Sequence, residues 1–437
     1  MDKAISKVLI MAIVVTLVFS LVACGSTIRP SKTESGEQSA EPVKLTMWHQ
    51  WVAEADPTAN SLKNAIKEWN DKNINGTIQA VGVNGEQYKT KIKTALAAGE
   101  APDLFYMWGG SFAGPYIKAG NILPLDPYLN DGTKDKLIKG SIESWTYDGK
   151  IYSLPMFTFI ANLYCNKELF SKAGAKIPTT WDELLDAVKA LRAAGITPVV
   201  VGEKDRWPGM YWFDILAMRQ AGNEACLVAM KYPAQFKRQE YLDAASRLSE
   251  LVRLKAFNDN AFGIGFNEML NDFTEGKAAM IYQGNWVDVS IEDASAETKG
   301  KVVAVPFPTI KDGKGSSSEF FGGDADGFYI NINTKNREEA VRALKFISEK
   351  AGKEGYLNGA GLACWKTDGL DETRLSPLAK QSAELMSTGT SFVGWWDTIL
   401  PAADSEIHKS LVAELFAGKM TPEEFVREMS QLKGTTD

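Results

Sequence analysis

Short apolar runs alternate with amphipathic helical segments from residue 44 onward, and this alternation restricts the fold more than any other feature. Lys44-Leu-Thr-Met-Trp48 reads as a first strand, and Leu62, Ile66 and Trp69 then share one helical face at i, i+4, i+7. A second strand follows over Thr77–Val83, a second helix carries Tyr88, Ile92 and Leu96, and Leu104–Met107 is a third strand. Farther along, Thr180 with Glu183, Asn336 with Glu339 and Thr421 with Glu424 have the spacing of capping boxes. Gly195 closes the first of these helices, and Pro422 opens the last. Strand–helix–strand units of this kind predict α/β lobes built on largely parallel sheets. Ligands of such sheets bind beyond the carboxyl ends of the strands. Trp48, Trp108 and Trp286 all fall at those ends. Trp286 is the oddest of them, placed just past the apolar run Ala278–Tyr282 and the break Gln283-Gly284-Asn285.

The beginning of the chain concerns location rather than fold. Lys3 and Lys7 precede the apolar run Val8–Ser20, and Leu21-Val-Ala-Cys24 follows. A charged start, an apolar stretch and small residues ending on cysteine read as a signal peptide over 1–23 with Cys24 as a lipidation site. Residues 24–42 are rich in Ser, Thr, Glu and Gly, cannot bury enough apolar surface to fold, and read as a flexible stalk. The expectation is an extracytoplasmic body on the outer face of the membrane, held there by its lipid only. What remains is too long for one core.

Composition removes several classes of function. A net charge of −7 argues against a nucleic-acid partner. His49 and His408 are the two histidines, far apart and without neighbouring ligand motifs, so a metal site on imidazole is not expected. Cys165, Cys226 and Cys364 are widely spaced and read as buried small hydrophobes. There is no phosphate loop and no G-x-S-x-G elbow. Carboxylates are plentiful, so a glycosidase pair stays open as an alternative. Tryptophan is what the chain over-supplies: of the 12, nine lie near expected loops or strand ends, Trp365 among them, while Trp69 and Trp181 fall on packing faces of helices. Aromatic planes beside Asp, Asn and Gln suit carbohydrate, which has apolar C–H faces and hydroxyls that each need a partner.

Three stretches carry a family resemblance: "GEAPDLFYMWGGSFAGPYIKAGNILPLD" (Gly99–Asp126), the segment Tyr147–Gly195, and "EGKAAMIYQGNW". Together they resemble the family 1 extracellular solute-binding proteins, the sugar-binding lipoproteins of ABC importers related to maltodextrin-binding protein. The resemblance implies a two-lobed α/β periplasmic-binding-protein fold whose lobes are joined by crossing strands around a ligand cleft. It places the first lobe at 43–156 and 320–370, the second at 157–319, and C-terminal helices over 371–437 across both.

It also implies a non-enzymatic oligosaccharide receptor, monomeric and without a cofactor, that closes on its sugar and delivers it to permease subunits. Trp286 matches a tryptophan that stacks on a sugar ring, and Trp108 a ligand-contacting loop position. Trp48 stands at the first strand end; Gln50, Trp51 and Asn84 fall in cleft-lining loops. Trp207 and Trp212 belong to the segment that supplies second-lobe aromatics. Asp324 follows the return crossing, and Trp395 or Trp396 matches a C-terminal aromatic. Asp103 and Asn166 match motif positions with structural roles. Gly110 stands where maltodextrin-binding protein has an aspartate. Other polar solutes, such as a polyamine or a glycerol phosphodiester, and a surface carbohydrate-active enzyme are the alternatives.

Overall fold

A computed structural model describes residues 43–54, 56–72, 76–293 and 295–435. The expected signal peptide, Cys24 and the stalk lie outside the described residues. Strands β1 (Lys44–His49), β2 (Thr77–Gly82) and β3 (Leu104–Tyr106) pair in parallel, with β1 between the other two. Helices α1 (Pro57–Lys72) and α2 (Gly85–Ala98) connect them and turn the expected faces inward: Leu62, Tyr88, Ile92 and Leu96 are buried. Asp103 fastens the sheet's entrance, its Oδ2 accepting from the N–H and hydroxyl of Thr46 and its Oδ1 from the hydroxyl of Thr334.

The chain then enters β4 (Ser153–Asn166), a fourteen-residue strand buried throughout. Asn166 ends it by capping the next helix, accepting from Glu168 N and Leu169 N. Next come α3 (Trp181–Ala193), β5 (Thr197–Val199), α4 (Trp207–Ala221), α5 (Phe266–Thr274), β6 (Ala278–Gly284) and β7 (Val302–Val305). The return strand is β8 (Glu319–Ile330). Beyond it lie α6 (Arg337–Leu357), α7 (Pro377–Ser387), β9 (Ser391–Val393), α8 (Ala402–Phe416) and α9 (Pro422–Met429). Trp69 of α1 packs on Phe346 of α6, centroids 5.5 Å apart.

Two long strands tie two sheet regions into one path, β2-β1-β3-β8-β4-β6-β5. The first part of β4, Ser153 to Ile160, pairs with β8; the second, Ala161 to Cys165, pairs with β6. Strand β8 in turn reaches β3 through Phe328–Ile330. Strand β4 therefore runs from one sheet region into the other, with β8 beside it. The sheet is less parallel than the alternation suggests, because β8 and β4 run antiparallel to their neighbours. Chains that leave a lobe and come back must traverse it in both directions.

Local signals hold with two differences. Thr180 and Thr421 form complete capping boxes with Glu183 and Glu424, and Gly195 sits at φ +73° after α3. Asn336 does not cap α6 with its side chain; Glu339 is held by Arg342 at 2.6 Å instead of reaching back. Strand β6 runs through Gln283 and Gly284 rather than breaking there, because those residues still pair with Asn162 and Ala161 of β4. Cys165, Cys226 and Cys364 are buried free thiols, and Trp365 is core, its N–H donating to Pro155 O.

Candidate functional site

The turn that ends β6 builds the first wall of the site. Asn285 is buried and its Oδ1 accepts from Ile160 N on β4, which pins the turn to the crossing strand. Trp286 then folds back across Gly284: a Cβ at position 284 would stand 2.1 Å from the indole Cζ3. Glycine is the residue that lets the ring lie on the backbone there. The half-buried indole meets Phe159 of β4 at 5.3 Å, Trp395 at 5.3 Å and Trp207 of α4 at 6.2 Å, all nearly edge-on. Trp207 is also half-buried, held by Phe266 at 5.1 Å. Trp395 stacks on Tyr211 at 5.0 Å with 14° between the planes, and Phe321 of β8 closes the group. Edge-to-face packing of this kind holds rings at fixed angles and leaves faces for other partners.

The second wall stands at the carboxyl ends of β1 and β3. Trp108 is half-buried against Tyr106 (4.9 Å) and Phe112 (5.5 Å), with the Lys89 ammonium 4.9 Å from its ring centre. Trp48 carries the Lys91 ammonium at 3.9 Å. Gln50 is half-buried, and Asn84 is exposed at the start of α2 with its side chain making no cap bond. Gly110 adopts φ +57°, and a Cβ there would lie 1.9 Å from Thr398 O. An aspartate is sterically impossible at this position while the C-terminal segment packs here.

Strand β8 joins the walls. Asp326 accepts from the Tyr106 hydroxyl at 2.6 Å, and Asp324 Oδ2 accepts from Trp395 N at 3.0 Å and the Thr398 hydroxyl at 2.9 Å. Burial pushes both carboxyls up, Asp324 to about 6 and Asp326 to about 7, against the hydrogen bonds they accept. Asp397 and Asp56 are raised for the same reason. The result is an acidic rim held closer to neutrality than exposed carboxylates, beside aromatic faces. Hydrogen-bonding oxygens next to ring planes can hold a polyhydroxylated chain.

Among the sequence candidates, Trp286, Trp207 and Trp395 come together, and Trp48, Trp108, Gln50 and Asn84 stand at or just beyond the carboxyl ends of β1, β3 and β2. Trp395 is itself buried, at 7% exposure, behind Trp286, and three other candidate tryptophans are buried in the packing beneath the walls. Trp212 is 1% exposed inside the packing of Phe257, Tyr282 and Phe307, and Trp396 is fully buried among Phe213, Phe236 and His408. Both are core residues, since helical geometry turns Trp212 away from Trp207 and Tyr211, and the turn at Trp395 sends its neighbour inward. Trp51 is buried too, packed on Tyr106 at 4.6 Å. Sequence reasoning missed Tyr211, Phe159, Asp326 and Asp397. The D-x-D spacing of Asp324 and Asp326 on an otherwise apolar strand was the available signal. Among the described residues, no group of three potential metal ligands occurs and no helix is long and apolar enough to cross a membrane.

Two α/β sheet regions joined by crossing strands, with aromatic and carboxylate groups where the strands cross, define a solute-binding protein. The chain belongs to the bacterial extracellular solute-binding proteins, a family that matches residues 55–354. The "Multiple sugar-binding protein" of Streptococcus mutans is 24% identical over 363 residues, 80% of this chain and 81% of that one. A solved chain from work on xylan utilization by Caldanaerobius polysaccharolyticus is 40% identical, covers 89% of this chain and 99% of its own, and superposes with a TM-score of 0.85. A chitin oligosaccharide binding protein is 28% identical over 90% of this chain and 98% of its own, with a TM-score of 0.81.

Proposed function

We propose that this protein is the extracytoplasmic receptor of an ABC importer for oligosaccharides, and that the sugar is a β-linked chain of the xylan kind. One observation carries the reading: the aromatic wall of Trp286, Trp207 and Trp395 packs on Phe159 of β4 and Phe321 of β8, the two strands that link the sheet regions. The 40% identity with a chain from xylan utilization supports the choice of sugar. In this reading residues 43–156 and 320–370 form one jaw, 157–319 the other, and 371–437 pack across both. The monomer is tethered through a lipid on Cys24, closes on the sugar and presents the closed form to permease subunits without cutting a bond. Trp286 and Trp207, backed by the buried Trp395, supply one surface for the sugar rings. Trp48, Trp108, Gln50 and Asn84 supply the other.

The carboxylates Asp56, Asp324, Asp326 and Asp397 favour a second reading, a polyamine. Their raised pKa values weigh against it, because a dication site needs charge that burial here suppresses. A thermal-shift panel of defined oligosaccharides from xylan, chitin and starch, together with spermidine, tests both. Ligand at about 100 Kd should stabilise the protein by about 2.7 kcal/mol. The expected result is a shift with a xylan-derived chain that is recovered uncut. A shift with spermidine alone, or a shortened sugar, overturns the proposal.

A further inference from the structure

Asp324 stands among the sequence candidates as a ligand residue, but its surroundings assign it another task. Its Oδ2 is committed to Trp395 N at 3.0 Å and to the Thr398 hydroxyl at 2.9 Å. Its own backbone carbonyl accepts from the Thr158 hydroxyl at 2.9 Å, so the residue is fixed to β4 as well. Gly394 leaves the room required: a Cβ there would meet the Asp324 carboxylate at 2.5 Å. The segment so held is short. After β9 it makes only a four-residue helical turn, Trp396–Ile399, before α8 begins at Ala402. One turn of helix does not hold its own shape, so its conformation must be imposed from outside.

A second set of bonds grips the same segment from the other wall. Thr398 O accepts from Ser111 N at 2.5 Å, and Asp397 O accepts from the Ser111 hydroxyl at 3.2 Å. Between these two anchors the Trp395 indole projects into the aromatic wall, stacked on Tyr211 and edge-on to Trp286. We infer that Asp324 is a positioning residue: by accepting from Trp395 N and Thr398 it sets the Trp395 ring against Trp286, and it acts on the sugar through that ring rather than by touching it. This rests on the oligosaccharide reading for its consequence, but not for the geometry it asserts.

The test uses the full chain and four proteins: the parent, Asp324→Asn, Asp324→Ala and Gly394→Ala. Affinity for a xylan-derived oligosaccharide is measured by calorimetry, and the tryptophan environment of the sugar-free proteins by near-ultraviolet circular dichroism. An asparagine side-chain oxygen can accept both bonds, so Asp324→Asn should keep the parent spectrum and bind within about threefold. Asp324→Ala removes the acceptor and Gly394→Ala displaces it, so each should change the spectrum and weaken binding by about tenfold or more. Should Asp324→Ala fail to fold, Gly394→Ala carries the same prediction.

An Asp324→Asn protein that loses affinity with the parent spectrum intact makes Asp324 a direct ligand contact and overturns the inference. So do alanine variants with the parent's spectrum and affinity. If the parent binds no oligosaccharide, the proposed function fails, and the spectra of the sugar-free variants still decide what Asp324 holds in place.

Discussion

The Trp286 ring lies across Gly284 against Phe159, Trp207 and Trp395, half-buried at the margin of the core rather than inside it. Removing it should leave the sugar-free protein's melting temperature nearly unchanged and weaken binding by about 2 kcal/mol, roughly thirtyfold. Gly284→Ala should weaken binding in the same direction, because the added methyl group occupies the place of the indole. Trp212→Ala is the contrast. Its ring fills a fully buried site, and its loss should cost about 3–5 kcal/mol of stability, read from denaturant melts. A Trp286→Ala protein that melts like Trp212→Ala and binds normally would put Trp286 in the core. At this scale the sequence could set aside Trp69 and Trp181 as packing residues but could not sort the loop tryptophans. Trp395 and Trp396 are adjacent, yet one ring joins the wall and the other packs on Phe213 and Phe236. Which way a side chain turns after a loop depends on contacts distant in the chain.

Elements were far more legible, because their signals are local. The Thr180–Glu183 box closes as its spacing requires, and Thr180→Ala should cost about 1 kcal/mol with no change in sugar affinity. Unchanged stability in that variant would mean the box is ornamental. Asn336 shows where local spacing stops deciding, since Arg342 takes Glu339 away. Buried acids were not legible at all. Glu203, at the turn before α4, is 1% exposed with its carboxyl against Gly209, and burial pushes it to about 9. Asp288 is buried beneath Tyr164 and Ser382 and pushed to about 7. Both are raised in the folded state, so the protein holds protons there that the unfolded chain gives up. Stability from these groups is therefore complete below pH ~4 and lost as pH rises through 7 to 9. His408, lowered to about 3 chiefly by burial, works in the opposite sense, but below its ordinary value near 6.5. Melting temperature should thus fall between pH 7 and 9, and Glu203→Gln should flatten that fall. A profile that rises across this window in both proteins would contradict the assignment of neutral buried acids.

On the scale of the whole molecule, two regions and the crossings between them were expected from the family resemblance, and β4, buried over fourteen residues, is the one crossing whose sequence is apolar nearly throughout. The sequence did not foretell how the C-terminal segment straps both regions, with Ser111 bonded to residues 397 and 398 while Trp396 and His408 pack on Phe213 of α4. Those contacts join residues far apart in the chain, 286 positions for Ser111 and Asp397, beyond any local signal. Closure on the sugar is what the proposed function requires of two regions linked by crossing strands. The most direct test is solution scattering on the parent and on Trp286→Ala at one sugar concentration, about ten times the parent's Kd. A thirtyfold weaker variant would then be only about a quarter occupied, against about nine-tenths for the parent. The parent should shrink in radius of gyration and the variant should change little. A parent curve that does not change at calorimetrically proven saturation, or a variant that compacts to the same extent, would contradict a jaw that closes on a sugar held at Trp286.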